Sequence, residues 1–321
     1  MPGDDDERLI LVSFTWAGDG PQLRIRPVDG PSRLVPAVGF SINYQVGTPV
    51  VHCPGRVPFR SEPVDYIDCF NPPQPGGRTC VECAVAEATL AGSLHHAHLR
   101  DPDELDPAVA SHLGQPNGLY LAAFRDGSLK VGTSTTVRQE NRLLEQGAWL
   151  ATVIGRTTNG FVVRRLEDMI TERLGIPQSV AVGRKLKGLL SPIDDARLKR
   201  RLDETTLDVQ RLLSEFTGTG SASDREVEPA DEPWSNPLAD SPLVDGLLGY
   251  GADLGRNSHD LTIVAMIGRL ALIERGTPAA DSAPIDRVRD RFAVDVGQLF
   301  GLELHLGQFT PVEVAVQDRL F

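Results

Sequence analysis

Four cysteines offer the clearest chemistry in this chain: Cys53, Cys69, Cys80 and Cys83. Cys80-Val81-Glu82-Cys83 has the C-x2-C spacing that lets two thiolates reach one metal ion at about 2.3 Å while backbone amides stabilise their charge. The other two stand apart from that pair and from each other, so the pattern is less specific than a doubled C-x2-C. His95, His96 and His98 lie 12 to 15 residues beyond Cys83 and also suit a Cys2His2 set, and His52 beside Cys53 is a further option. We expect one zinc site made by the four cysteines. With four protein ligands it is structural, because no coordination position stays open. The His-His-Ala-His stretch is the second choice; its ordinary reading is an exposed helix C-terminus, where histidines sit favourably.

The elements that must carry these residues follow from the apolar pattern. Arg8 to Phe14 and Pro21 to Val28 read as two strands of a hairpin, and Val35 to Val51 holds further short strand-like pieces. His52 to Cys83 is rich in Pro, Gly and Cys, as expected where a metal rather than a core holds the chain. Ala84 to Leu99 reads as a helix, with a short one at Leu105 to Leu113. From Leu119 the pattern is strand, an Arg125-Asp126-Gly127-Ser128 turn, and a strand from Leu129 to Ser134. Then come a helix at 137–146, a strand from Trp149 to Arg156 and a helix from Val162 to Leu174 that Gly175 and Pro177 end. A long helix covers Asp194 to Phe216. Gly218 to Asp245 is acidic and rich in Gly, Ser and Pro, and reads as a flexible linker. Leu261 to Gly276 and Val296 to Gly307 read as strands with glycine turns. The expected fold class is α+β. The expected segments are 1–51 (N-terminal β), 52–117 (cysteine-rich zinc region and helix), 118–216 (central module with trailing helix), 217–245 (linker) and 246–321 (a small β-rich unit).

Within the central module, Gly118-Leu119-Tyr120 followed by Lys130-Val131-Gly132 resembles the paired strands of GIY-YIG nucleases. Arg142 and Glu167 fall on the helices where that superfamily carries an arginine and a glutamate. Leu129 to Thr135, the Arg142 to Ala148 stretch with its Gln-Gly-Ala, and Val51-His52-Cys53-Pro54-Gly55-Arg56 are similar to a bacterial family termed domain of unknown function 2797. That resemblance covers roughly Leu9 to Leu190 and implies an N-terminal zinc-binding part joined to the central module. The nuclease likeness implies a small mixed three-stranded sheet with flanking helices. It further implies a divalent metal (Mg or Mn) at Glu167, and Arg142 neutralising charge on a scissile phosphate. Tyr120 matches the first of two site tyrosines, and Lys130 stands where the second is expected. A lysine acts as a base only if its pKa falls far, and more naturally binds phosphate as a point charge.

Each of these residues also has a plainer reading: Tyr120 as a strand aromatic, Lys130 as a solvated strand residue, Arg142 paired with Glu140 or Glu145, and Glu167 on a charged face beside Arg164 and Arg165. Gly183-Arg184-Lys185-Leu186-Lys187-Gly188 reads as a short basic loop or helix start that could meet a phosphate backbone, with a solvated loop the plainer reading. Gly249 to Gly255 has glycines but no βαβ context, so it is no dinucleotide site. The net charge of −12 argues against a protein that coats DNA, although 118–215 carries 16 Lys and Arg against 12 Asp and Glu, or +4. No apolar run reaches the roughly 20 residues a spanning helix needs, and the acidic start is not a secretory signal, so a cytoplasmic location is expected. Three functions remain: a metal-dependent phosphodiester-cleaving or nucleic-acid-processing enzyme, a binding module for nucleic acid or nucleotide, and an enzyme reusing the fold on a small phosphorylated or electrophilic metabolite.

Overall fold

The computed structural model describes residues 7–18, 20–58, 66–94, 96–218, 227–276, 290–314 and 316–317. The protein is α+β. In chain order come β1 (Arg8–Ala17), β2 (Gly20–Pro27), β3 (Arg33–Pro36), β4 (Ser41–Val46), α1 (Val81–Leu94) and α2 (Pro107–Leu113). These are followed by β5 (Asn117–Ala123), β6 (Leu129–Thr135), α3 (Gln139–Gln146), β7 (Leu150–Thr157), α4 (Gly160–Leu174), α5 (Val182–Leu190), α6 (Asp195–Gly218) and β8 (Val227–Ser235). The last are β9 (Leu248–Tyr250), β10 (Asn257–Ile267), β11 (Leu270–Arg275), β12 (Arg291–Asp295), β13 (Glu303–Leu306) and β14 (Val316–Gln317). The chain forms two units, one from Met1–Ala88 with Ser241–Phe321, the other from Thr89–Asp240.

The first unit is built on a ten-stranded sheet in the order β14-β9-β12-β11-β10-β4-β13-β1-β2-β3. The expected hairpin is present, with Leu9 paired to Pro27 and Ala17 to Gly20. The C-terminal strands do not make a unit of their own, as the segment division had it. They enter the same sheet as the N-terminal ones: β4 pairs with both β10 and β13, and β13 pairs with β1. The apolar residues of both chain ends share one core, where Leu11, Leu23 and Tyr44 meet Ile263, Phe292 and Leu304. The strand expected over Val296 to Gly307 shortens to β13, because Asp295 caps a 3-10 turn over Val296–Leu299 by accepting from the Gly297 N–H at 3.0 Å.

The second unit holds a four-stranded sheet in the order β6-β5-β7-β8. All its pairs are antiparallel, not mixed and three-stranded as the resemblance implied. The central strand β5 is buried at every position, which is why it reads as a near-continuous apolar run. α4 packs on β5, β6 and β7, and α6 packs on β5 and β7. Asn159 starts α4 by accepting from the Phe161 and Val162 N–H groups at 3.0 and 3.1 Å, and Gly175 ends it at φ +68°. The fourth strand, β8, lies inside the expected linker. It pairs with β7 from Thr157↔Val227 to Leu150↔Ser235 and is tied by the Arg156–Glu232 ion pair, Nε to Oε1 at 2.9 Å. Residues 219–226 of that linker lie outside the described residues. The basic stretch read as a loop or helix start takes the second form: it lies in α5, whose Gly188 packs so closely that an added Cβ would clash with the Asp126 backbone nitrogen.

Candidate functional site

The four cysteines form one buried cluster in the first unit. Their sulfurs lie within 4.8 Å of one another, and Cys69 Sγ is 3.6 Å from Cys80 Sγ. That is far beyond a disulfide bond of about 2.05 Å and close to the roughly 3.8 Å edge of a tetrahedron with 2.3 Å metal–sulfur bonds. Two arms bring the sulfurs together. On one, Arg56 and Ile67 exchange backbone hydrogen bonds of 3.1 and 2.9 Å, closing the loop between Cys53 and Cys69. Gly55 at φ +87° permits this, since a Cβ there would stand 2.2 Å from the Ile67 carbonyl oxygen. On the other arm, Cys80 and Cys83 flank the start of α1, so the thiolates lie near the positive end of a helix dipole. The Cys83 N–H donates to Cys80 Sγ at 3.4 Å, and the Cys80 N–H to Cys53 Sγ at 3.3 Å.

That backbone N–H from Cys83 lowers the Cys80 pKa to about 7, while burial raises those of Cys69 and Cys83. Sequence reasoning missed Arg26, which no short motif marks. Its guanidinium is fully buried, donates to the Cys69 carbonyl at 3.1 Å and the Val28 carbonyl at 2.7 Å, and lies 4.7 Å over the Phe70 ring. Burial lowers its pKa, opposed by the charges of Asp68, Tyr66, Cys69 and Cys53. A buried cation needs compensating negative charge, and thiolates on a metal supply it. Four close, unbonded, buried sulfurs with N–H donors and a buried cation can hold a metal ion such as zinc. His52 is not among the donors, for its Nε2 bonds Glu303 Oε2 at 2.7 Å. His96 and His98 group with Asp168 instead, and His95 lies outside the described residues.

In the second unit the structure brings Tyr120, Lys130, Arg142 and Glu167 into one neighbourhood. Tyr120 on β5 faces Gly132 on β6, and its hydroxyl lies so close that a Cβ on Gly132 would stand 2.5 Å from it. This gives the Lys-Val-Gly glycine its reason. Lys130 Nζ lies 5.7 Å from the Tyr120 ring centroid. Gln146 Nε2 donates to the Tyr120 hydroxyl at 2.7 Å. Gly147 at φ +68° ends α3, and Ala148 is fully buried with its carbonyl accepting from Asn236 Nδ2 at 2.8 Å. The Gln-Gly-Ala stretch is thus a site hydrogen bond, a left-handed cap and a core contact in sequence.

Electrostatically the neighbourhood is cation-rich. Lys130 is 6% exposed, and burial together with Arg142 and Lys185 lowers its pKa to about 8, against the opposing pull of Glu167. Burial also raises Tyr120 and Glu167, with Arg164, Lys130 and a Thr133 hydrogen bond acting the other way on Glu167. The solvated-strand reading of Lys130 therefore fails. Arg142 remains half-exposed, with Glu145 4.0 Å away. Lys185 was not foreseen as a member. It sits on α5, bonds the Gln146 carbonyl at 2.7 Å and lies 4.7 Å over Phe124. Such a patch can engage an anion through Arg142 and Lys130 and offers one carboxylate to a cation.

The fold and these sites define an α+β protein with a buried four-cysteine cluster. A family described as protein of unknown function (DUF2797) matches residues 74–236, just over half of the chain, and the chain belongs to that family. The match takes in Cys80, Cys83, Tyr120, Lys130, Arg142 and Glu167 and runs through β8. It begins after Cys53 and Cys69, later than the likeness from Leu9 suggested. No curated protein and no solved structure matches the chain.

Proposed function

We propose that the second unit is a GIY-YIG-like module that takes a phosphodiester of nucleic acid at Tyr120, Lys130, Arg142 and Glu167, and that the four cysteines bind a structural zinc. The observation that carries this reading is the meeting of those four side chains in one neighbourhood, with Lys130 in the place of the second tyrosine. Arg142, the exposed member, faces the phosphate and offsets the charge that builds on it. Lys130, with its pKa lowered to about 8, adds a second phosphate contact and is near enough to neutral pH to exchange a proton with the attacking water. Glu167 supplies the carboxylate for Mg or Mn.

A second reading, binding without cleavage, is favoured by the charge around Glu167. Lys130 and Arg164 act on this carboxylate and Arg142 and Lys185 act on Lys130, a setting that repels a dication and attracts phosphate. Assays with Mg or Mn on single-stranded, branched and duplex substrates separate the two. Turnover that vanishes in Glu167→Ala and Arg142→Ala supports cleavage. Binding without turnover that weakens steeply as salt rises supports the second reading. Absence of binding to any nucleic acid at low salt overturns both and leaves a phosphorylated small molecule as the remaining ligand class.

A further inference from the structure

The residue after Glu167 on α4 faces a different set of donors. His98 Nε2 lies 2.9 Å from Asp168 Oδ2, and the His96 and His98 rings are 6.1 Å apart, centroid to centroid. One donor atom from each of His96, His98 and Asp168 lies within 4.8 Å of the others. We propose that these three residues bind a divalent first-row transition-metal ion, at a site separate from the cysteine cluster. Two imidazoles and a carboxylate suit Zn, Ni, Co, Fe or Mn, whereas Mg and Ca prefer all-oxygen shells.

Two further observations favour a ligand here. His98 Nε2 and Asp168 Oδ2 lie 2.9 Å apart, close to the roughly 3 Å between neighbouring donors on one ion with bonds of about 2.1 Å, so an ion can take the place of their hydrogen bond. Both donors are held in place: His98 is 8% exposed, and Gln178 Nε2 donates to Asp168 Oδ1 at 2.8 Å. His96, moreover, is held at φ +52°, in the left-handed region that side chains other than glycine seldom occupy. This turn sets its ring beside that of His98 and leaves it exposed. Strain of this kind persists where the surroundings enforce it, often at ligand sites. Three protein donors leave positions for water, unlike the closed cysteine site.

Equilibrium dialysis of the full-length protein against Co2+, counting cobalt per chain and following thiolate-to-cobalt absorption, tests the proposal. Wild type is expected to hold one more ion than His96→Ala, a change at an exposed position that leaves the far-ultraviolet circular dichroism and the thiolate absorption intact. Asp168→Asn removes a ligating carboxylate and should weaken that ion at least about 10-fold, and Cys80→Ser should lose the thiolate absorption but keep the His96-dependent ion. Equal cobalt content in wild type and His96→Ala overturns the proposal and leaves His98–Asp168 as a docking hydrogen bond.

Discussion

Lys130 shows how one side chain can be set against its surroundings. Its ordinary pKa of 10.5 falls to about 8 in the fold. Between those values the unfolded chain carries a proton that the folded chain lacks. Stability therefore rises with pH across that window, and the penalty of the buried charge is fully present below it. Urea unfolding of wild type from pH 8 to 10.5 should show this rise, and Lys130→Met should flatten it; an unchanged slope would refute the assignment. Gly132→Ala tests the close approach of Tyr120. With a Cβ placed 2.5 Å from the hydroxyl, overpacking should cost about 1–3 kcal/mol in chemical denaturation, and Tyr120→Phe in the same background should recover only part of it.

Among the elements, α4 carries Glu167 on one side and Asp168 on another, so its start positions both candidate sites. Asn159→Ala removes two hydrogen bonds to the first turn and should lower stability by about 1 kcal/mol, read from the shift of the unfolding midpoint. β8 has the opposite character to β5. Its Val-Glu-Pro-Ala-Asp-Glu-Pro-Trp-Ser is acidic and carries two prolines, the composition that keeps an edge strand from pairing further. That same composition made it read as linker. Deleting Val227–Ser235 should leave β7 as an unprotected edge and make the unit aggregate. A deletion that remains monomeric by size-exclusion chromatography would show that the pairing contributes little.

At the scale of the whole molecule, the first unit interleaves strands from both chain ends, while the second is continuous in sequence. Residues 89–240 expressed alone should fold cooperatively. Residues 1–88 alone should not, because β4 and β1 lose the partners β10 and β13. Heteronuclear NMR spectra of the two fragments check this, and a dispersed spectrum from 1–88 would contradict it. Metal at the cysteines should stabilise the first unit by linkage, since thiolates gather there only when that unit is folded. Cys80→Ser in the full-length protein should thus lower the melting temperature of the first unit, and an unchanged melting temperature would contradict this.

The sequence by itself determined the elements whose patterns are local. The hairpin β1–β2, the buried β5, the helices α4 and α6 and the C-x2-C at the head of α1 follow from apolar spacing, caps and thiolate geometry. The resemblance to GIY-YIG strands and helices singled out Tyr120, Lys130, Arg142 and Glu167, which the fold brings near one another. What only the tertiary structure decided depends on distance between parts remote in sequence. Cys53 and Cys69 join Cys80 and Cys83 because loops fold back, and Arg26 enters that cluster from a strand 27 residues before Cys53. Histidines 96 and 98 turn from the cysteines to Asp168, 70 residues beyond His98. The burial that lowers Lys130, the basic helix that brings Lys185 to it and the pairing of an acidic, proline-bearing strand all arise from packing, which no spacing rule encodes.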